Sequence, residues 1–140
     1  MVVDDEPLVC KAVATLLGRE PKLAVCGEAA SEPQALERLR SSKADLALVD
    51  LALKEGTGLR LIKRLRRSRP KLRVLVMSMF GRADYVTHAF IAGANGYVAK
   101  DEAAERLLEA IALVMSGKSY LSDEMAARMA GDLPTFRETA

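Results

Sequence analysis

Apolar residues in this chain alternate between short unbroken runs and longer stretches with helical spacing. The unbroken runs predict five short strands, at positions 2–3, 23–27, 46–50, 72–78 and 97–99. After the first run, apolar residues recur at i, i+3, i+4, i+7 and i+8 from Val9 to Leu17, which indicates a helix that buries one face. The first strand is unusually short, which leaves open whether residues before Met1 are missing.

Capping and terminating residues place the next two helices. Ser31 with Gln34 three residues later is a capping-box pattern, and it predicts a helix from there to about Arg40. A third helix is predicted over residues 58–68, because Pro70 prevents its continuation. Each of these helices follows a predicted strand.

Three further helices are predicted in the second half of the chain. Residues 83–92 form the fourth, which Gly93 closes as a left-handed cap. Asp101 is expected to cap the fifth helix, which Gly117 ends, and Ser122 is expected to cap a short sixth helix. Strands and helices therefore alternate along the chain.

The predicted strands are rich in Val and Leu and show no alternation of polar residues. Strands of this kind are typical of a parallel sheet whose two faces are both covered by helices. The predicted fold class is α/β, a doubly wound five-stranded parallel sheet with helices on both faces. Functional sites in such sheets form at the carboxyl ends of the strands.

Composition is typical of one compact domain. The chain has 140 residues and is 50% hydrophobic. No apolar run approaches the roughly 18 residues that span a bilayer, and no signal-type segment opens the chain, so a cytoplasmic location is expected. Cys10 and Cys26 form no CxxC pair and have no histidine close by, so both are predicted to be buried free thiols.

The formal net charge of +2 is too small to indicate a nucleic-acid partner, although basic residues are concentrated between Arg60 and Arg73. No aromatic residues interleave them, and most fall on the outer face of the third predicted helix. We interpret this basic segment as a solvated helix face rather than a DNA contact.

Polar side chains follow four of the five predicted strands. They are Asp4 and Asp5 after the first strand, Asp50 after the third, Ser78 at the end of the fourth and Lys100 after the fifth. Three aspartates repel one another unless a cation neutralises them, and Mg²⁺ prefers such oxygen ligands. Because a hydroxyl and an ammonium suit phosphoryl oxygens, the set predicts phosphoryl transfer to an aspartate. Each residue by itself has a simpler interpretation as a turn residue, cap or surface lysine, but their occurrence at one edge favours a site.

Four segments resemble the response-regulator receiver domain of bacterial two-component systems. They are VVDDEPLV at the start, LALVDLALKEGTG around Asp50, VLVMSMF through Ser78 and AGANGYVAKD through Lys100. The resemblance implies a flavodoxin-like strand order, 2-1-3-4-5, and a Mg²⁺-dependent transfer of a phosphoryl group from a histidine kinase to Asp50. It implies a signalling domain rather than an enzyme, since such a domain catalyses only its own phosphorylation and dephosphorylation.

The resemblance also implies a role for each residue of the site. The implied metal ligands are the side chains of Asp5 and Asp50, the carbonyl of Ala52 and, through water, Asp4. The implied phosphoryl-binding and switch residues are Ser78, Lys100 and Tyr97, of which Tyr97 is the aromatic switch. Phosphorylation would alter the surface formed by the fourth helix, the fifth strand and the fifth helix.

The segment SGKSYLSDEMAARM is similar to the NarL/FixJ group, whose receivers are usually followed by a linker and a LuxR-type helix-turn-helix domain. By this resemblance residues 1–117 are the receiver domain, and residues 118–140 are a linker with a short sixth helix and a tail. The DNA-binding output domain is absent, so DNA binding and transcription regulation belong to a parent protein. A separated module and a natural single-domain regulator both stay open. A homodimer through the first and fifth helices, or through the face from the fourth to the fifth helix, is equally open.

Lys54 departs from the family pattern, and two other positions bear on dephosphorylation. Lys54 stands where many receivers have a proline four residues after the phospho-acceptor, which puts loop stiffness and phosphorylation rate in doubt. Ala52 and Phe80 occupy the two positions that tune dephosphorylation in the family. Ala52 has no side chain to position a water, and Phe80 would shield the acyl phosphate, so slow self-dephosphorylation is expected.

Two other functions stay open. A Mg²⁺-dependent phosphohydrolase that works through an aspartyl-phosphate commonly has a second aspartate two residues after the nucleophile. Ala52 occupies that position here, which argues against an enzyme. A pseudo-receiver would keep the fold without being phosphorylated, and the complete set of aspartates, serine and lysine argues against it.

Overall fold

The computed structural model describes residues 1–53, 55–79 and 83–132, without the side chains of residues 128 and 130–132. The strands are β1 Val2–Val3, β2 Glu28–Ala29, β3 Leu46–Val49, β4 Arg73–Ser78, β5 Gly96–Ala99 and β6 Tyr120–Leu121. The α-helices are α1 Pro7–Leu17, α2 Glu32–Arg40, α3 Gly58–Ser68, α4 Ala83–Ala92, α5 Ala103–Met115 and α6 Asp123–Asp132. All strand pairs are parallel, in the order β2-β1-β3-β4-β5-β6. The predicted order 2-1-3-4-5 is confirmed, and a sixth strand extends it.

The hydrophobic core consists of two layers, one on each face of the sheet. Helices α2, α3 and α4 pack on one face, against residues that include Val3, Val49 and Val76. Helices α1 and α5 pack on the other face, against Leu48 and Leu75 among others. Successive residues of a strand point to opposite faces, so Leu48 and Val49 belong to different layers. Because both faces of the central strands are buried, these strands have no polar alternation.

The helix boundaries expected from capping and helix-breaking residues agree closely with the structure. Helices α3 and α4 have the predicted bounds, and Gly93 has a positive φ of 121°. Ser31 caps α2 by accepting the N–H of Gln34 at 3.2 Å. The side chain of Gln34 accepts the N–H of Ala30 at 2.9 Å, one residue before the position used in a capping box.

The second strand does not lie where the apolar run predicted it. β2 follows the run 23–27, which was the predicted strand, rather than coinciding with it. In the parallel register Val2 pairs with Glu28, and its N–H donates to the carbonyl oxygen of Gly27 at 3.0 Å. Residues 23–26 therefore have no residue of β1 beside them to complete a ladder.

The prediction of two buried thiols is wrong for one cysteine. Cys10 is buried on α1, but Cys26 is exposed. Exposure alternates along the edge segment that leads into β2, and Cys26 falls on the outward side. An edge segment of a sheet has a neighbouring strand on one side only, so apolar residues there are less completely buried.

The start of α5 also differs from the prediction. A short 3₁₀ turn, Lys100–Glu102, precedes the α-helix, and no side chain caps the first turn of α5. Glu102, rather than Asp101, bonds the backbone here, because its carboxylate accepts the N–H of Ala99 at 3.4 Å. With this 3₁₀ turn in place, the carboxylate that bonds the backbone belongs to Glu102, one residue after the predicted Asp101.

The residues after α5 return to the sheet. β6 pairs with β5, with Tyr120 opposite Gly96, and so short a strand has no periodic pattern to predict it. Ser122 caps α6 as predicted and accepts the N–H of Met125 at 3.2 Å. Met125 and Met129 are buried in the core layer that contains α4. The predicted five-stranded sheet therefore becomes one of six strands.

The basic residues of α3 form a largely solvated face, as predicted. Lys63, Arg64 and Arg67 are exposed. Arg66 and Arg69 turn back and donate hydrogen bonds to backbone carbonyl groups of neighbouring segments.

In the part of the chain that the structure describes, no helix is both long and apolar enough to cross a membrane. Helix α5 has 13 residues, whereas a spanning helix needs about 20.

Candidate functional site

Two buried aspartates lie side by side at the carboxyl ends of β1 and β3. Asp4 follows β1 and Asp50 follows β3, and the residues before them, Val3 and Val49, are paired across the sheet. The ladder continues into the site, because the N–H of Asp50 donates to the carbonyl oxygen of Val3 at 2.9 Å. Only 3% of Asp4 and 5% of Asp50 is exposed. Parallel pairing therefore brings two carboxylates together, as the sequence predicted.

Asp5 and Glu6 join these aspartates in what we call the acidic cluster, which comprises Asp4, Asp5, Glu6 and Asp50. One carboxylate oxygen of each residue lies within 4.8 Å of those of the other three. Asp5 is half-buried and Glu6 is exposed. Glu6 was not among the predicted site residues, although its position directly after Asp5 was a signal for it.

Lys100 provides the positive charge of this site. Its Nζ lies 2.9 Å from Oδ2 of Asp50, 3.0 Å from Oδ2 of Asp4 and 3.1 Å from Oε1 of Glu6. Burial by itself lowers the pKa of Lys100, but the carboxylates outweigh that effect and raise its pKa above the ordinary value. Lys100 is therefore an ammonium group shared by three carboxylates.

One oxygen of the buried Asp4 carboxylate lacks a hydrogen-bond donor among the described residues. Its Oδ1 accepts the N–H of Glu6 at 2.9 Å. Its buried Oδ2 is ion-paired with Lys100, but it accepts no hydrogen bond of suitable geometry from any described residue. Burial raises the pKa of Asp4, and Asp50 adds to this, while the Glu6 N–H and Lys100 oppose it in part. A further positive partner would stabilise the ionised form of Asp4.

The acidic cluster fits a hard divalent cation. Four carboxylates face one ammonium group, and Oδ2 of Asp4 is left without a hydrogen-bond donor among the described residues. Mg²⁺ is bound in proteins by one or two carboxylates together with waters and phosphoryl oxygens. The side chains present are therefore those that a magnesium site requires.

The loop between β3 and α3 closes around Asp50. The N–H of Ala52 donates to Oδ1 of Asp50 at 3.1 Å, and the N–H of Gly58 donates to the carbonyl oxygen of Leu51 at 3.0 Å. A Cβ at Gly58 would overlap the Asp50 carbonyl group, so only glycine lets α3 begin this close to the site. Ala52, the predicted carbonyl ligand, thus lies next to the Asp50 side chain.

Ser78 and Tyr97 are buried neighbours on β4 and β5. Ser78 ends β4 opposite Ala99, and both Ser78 and Tyr97 have no exposed surface. Burial raises the pKa of Tyr97, although a hydrogen bond between its side chain and Ser78 opposes the shift. The predicted switch ring is therefore inside the protein, bonded to the predicted phosphoryl-binding hydroxyl.

Two predicted residues lie outside the described residues, and another residue of interest was not predicted. Lys54 and Phe80 fall in the segments that the structure does not describe, so their expected effects stay predictions. Glu32 is a buried carboxylate that binds Arg60. The two are 28 residues apart, and no pattern along the sequence pairs them.

Comparison with known proteins places the chain in a family. Residues 1–112 match the response regulator receiver domain. The chain is 35% identical over 132 residues to the DNA-binding transcriptional activator DevR/DosR of Mycobacterium tuberculosis, covering 94% of this chain and 61% of that protein. It is 32% identical over 139 residues to the nitrate/nitrite response regulator protein NarL of Escherichia coli, covering 99% and 64%. The chain thus spans less than two thirds of these relatives.

Solved structures agree with this assignment. A LuxR-family two-component response regulator from Aurantimonas sp. SI85-9A1 superimposes with a TM-score of 0.90, at 31% identity and 94% coverage of both chains. The isolated receiver domain of RcsB from Salmonella enterica serovar Typhimurium gives a TM-score of 0.84 at 24% identity, covering 91% of this chain and 95% of that one, and supports the fold alone. The chain belongs to the response regulator receiver domain family, with NarL- and LuxR-type response regulators as its relatives.

Proposed function

We propose that this chain is a phospho-accepting receiver domain in which Asp50 takes a phosphoryl group from the phosphohistidine of a histidine kinase. The observation that carries the proposal is the position of the Asp50 carboxylate. It lies at the end of β3, within the acidic cluster, with Oδ2 2.9 Å from the Lys100 ammonium. A carboxylate nucleophile beside fixed positive charge is suited to phosphoryl transfer.

Each residue of the site has its own role in this transfer. An oxygen of Asp50 attacks phosphorus, a P–O bond forms, the P–N bond of the phosphohistidine breaks, and the leaving imidazole takes up a proton. Lys100 pairs with the transferred phosphoryl group, and Ser78 donates a hydrogen bond to it. The residues that would hold Mg²⁺ are Asp5 and Asp50 through their side chains, Ala52 through its carbonyl and Asp4 through water. Bound there, the ion would offset the charge of the phosphoryl oxygens.

Phosphorylation would change the conformation of the surface formed by α4, β5 and α5. Tyr97 belongs to β5 and is hydrogen-bonded to Ser78. A movement of Ser78 toward a phosphoryl group would therefore change the partner of a buried ring on that surface. To switch the domain, the new contacts have to favour the active state by about a few kcal/mol.

The output belongs to a longer protein. We propose that residues 1–117 form the receiver and that residues 118–140, whose β6 and α6 pack against it, form the linker to a DNA-binding domain. The chain covers only 61% of DevR/DosR, which is named as a DNA-binding transcriptional activator. In that parent protein, located in the cytoplasm, phosphorylation would control transcription. The partners of the receiver itself would be a histidine kinase and, on phosphorylation, a second copy of the chain.

Incubation with acetyl phosphate and Mg²⁺ tests the acceptor. Wild type is expected to gain the mass of one phosphoryl group, and both Asp50→Asn and chelation of Mg²⁺ with EDTA are expected to abolish the gain. Intact-protein mass spectrometry measures it, and thermal melting checks that the variant is folded. Gain in neither protein would favour a pseudo-receiver. Equal gain in both would mean that the acceptor is another residue.

A further inference from the structure

A third buried carboxylate, that of Glu32, lies at the start of α2. Glu32 is 1% exposed, and its carboxylate is bound by Arg60 of α3. The Nε of Arg60 lies 2.9 Å from Oε1 and 2.8 Å from Oε2, and its Nη2 lies 2.6 Å from Oε2. Arg64 adds a longer contact of 3.8 Å to Oε1. The guanidinium of Arg60 therefore contacts both oxygens of Glu32, a geometry that fixes orientation as well as charge.

Glu32 also contacts the loop between β3 and α3. Its backbone N–H donates to the carbonyl oxygen of Glu55 at 3.1 Å. The backbone of Thr57 contributes to the lowered pKa of the Glu32 carboxyl group. Gly56 has a φ of 79°, and a Cβ on it would overlap the Glu32 side chain. Glu55 and Gly56 of this loop are thus in direct contact with Glu32.

The same loop contacts Asp50, the proposed acceptor. At the start of the loop, the N–H of Ala52 donates to Oδ1 of Asp50. At its last end, Gly58 packs against the Asp50 carbonyl group and bonds Leu51. The sequence contains no proline between Pro33 and Pro70, so no ring restricts the backbone of the loop. Contacts with Glu32 add to the bonds that the loop makes within itself.

We propose that Glu32 is a positioning residue for phosphoryl transfer. Together with Arg60 it holds residues 55–56 in place, and through them it presents the Ala52 carbonyl and the Asp50 carboxylate to Mg²⁺ and the incoming phosphoryl group. This inference rests on the proposed function of Asp50. A loop held in its binding geometry before the ligand arrives has less freedom to lose on binding, which strengthens binding.

The simpler explanation is that Glu32 and Arg60 only pack α2 against α3. Arg69 makes a matched control, because it ties the same two helices at their opposite end. Its Nη1 donates to the carbonyl oxygen of Leu39 at 3.0 Å, and its Nη2 to that of Ala44 at 2.8 Å. Removing Arg69 therefore weakens helix packing without touching the loop that carries Ala52.

The experiment compares Glu32→Gln, Arg60→Ala and Arg69→Ala with wild type. Mg²⁺ affinity is measured from the amide NMR shifts of Ala52 and Gly58 during titration with MgCl₂. Hydrogen exchange of residues 51–58, the rate of phosphorylation by acetyl phosphate and the melting temperature are measured alongside. Because Arg60 is on the surface, with 58% of its side chain exposed, Arg60→Ala keeps the test available should Glu32→Gln fail to fold.

We expect Glu32→Gln and Arg60→Ala to weaken Mg²⁺ binding about tenfold, the low end of losses seen when groups supporting metal ligands are removed. Both should slow phosphorylation and speed exchange across the loop. Arg69→Ala should lower the melting temperature and leave Mg²⁺ affinity unchanged. Equal losses of affinity in all three variants, or none in Glu32→Gln and Arg60→Ala, would overturn the inference. Wild type that neither binds Mg²⁺ nor gains a phosphoryl group would instead overturn the proposed function.

Discussion

Among the described residues, buried carboxylates occur in two places, the acidic cluster and the Glu32–Arg60 pair, and these differ in how their charge is balanced. The acidic cluster contains four carboxylates, and three of them, those of Asp4, Glu6 and Asp50, contact the ammonium group of Lys100. At Glu32 the proportion is reversed, because one carboxylate is contacted by Arg60 and Arg64. The pKa values move in opposite directions as a result. Burial raises the pKa of Asp4, whereas the hydrogen bonds from Arg60 lower the pKa of Glu32 despite its burial.

The difference in charge balance gives the two places different properties. Excess negative charge at the acidic cluster is unfavourable in the free protein, and a cation or a change of bonding partner relieves it. The Glu32–Arg60 pair has no such excess, so it gains nothing from a ligand and keeps its backbone contacts fixed. Buried charge of the first kind is typical of functional sites, where pKa values are most perturbed. Buried charge of the second kind orders the segments around it.

The sharpest way to break the comparison is to remove Lys100, the cation that contacts the acidic cluster among the described residues. Lys100→Met leaves Asp4 and Asp50 buried without their shared partner, and we expect a loss of about 3 kcal/mol in unfolding free energy in EDTA. Mg²⁺ should restore part of this loss, because it supplies positive charge to the same oxygens. Urea unfolding with and without MgCl₂ measures both effects.

Arg60→Ala provides the counterpart for that experiment. It removes a cation from the Glu32–Arg60 pair, and Mg²⁺ has no excess of carboxylates to bind there, so the ion should restore none of the lost stability beyond its effect on wild type. The comparison would fail if Lys100→Met were as stable as wild type in EDTA. It would also fail if Mg²⁺ restored both variants equally.

The pH dependence of stability separates the two groups by a second route. The pKa of Glu32 in the folded protein is below its ordinary value of 4.5, so its stabilising contribution is present above pH 4.5. The contribution is lost as the pH falls through the lowered folded pKa, where Glu32 becomes protonated. At neutral pH we expect wild type to exceed Glu32→Gln by about 2 kcal/mol. Denaturant melts from neutral pH downward should show this gap closing only below pH 4.5, and a constant gap would contradict the assignment.

The parts of this structure that could be predicted from the sequence are those with a local or periodic cause. Helices α3 and α4 have their predicted bounds because helix breakers and glycine mark their ends. Asp4, Asp50 and Lys100 were predicted to meet because the carboxyl ends of parallel strands share one edge of the sheet. Contacts of Lys100 with Asp4 and Asp50 in the structure agree with that reasoning.

The parts that could not be predicted depend on contacts between distant segments. The position of β2 follows from its register with Val2, and the apolar residues before it favoured an earlier strand. β6 is a strand only because Gly96 and Tyr97 lie beside it. The Glu32–Arg60 pair joins α2 and α3. In the sequence of either helix, each residue is simply a polar residue in the first turn, and nothing there indicates that the two are paired.

The smallest expected effect is a gain in stability at the site itself. Because burial and Asp50 raise the pKa of Asp4, its ionised form is less favourable in the folded protein than in the unfolded chain. Asp4→Asn removes that charge, while its amide oxygen keeps the bond from the N–H of Glu6 and Lys100 keeps Asp50. We therefore expect the free energy of unfolding of Asp4→Asn in EDTA to be about 1 kcal/mol higher than that of wild type. Gains of this size are typical at sites where function costs stability.

The same variant should lose most of the stabilisation that Mg²⁺ gives to wild type, because one carboxylate of the acidic cluster is gone. Urea melts of both proteins with EDTA and with MgCl₂ measure the two differences on one scale. If Asp4→Asn were less stable than wild type in EDTA, the ionised Asp4 would be a net stabilising partner of Lys100. The acidic cluster would then be balanced in the same way as the Glu32–Arg60 pair, and the contrast between the two buried groups would not hold.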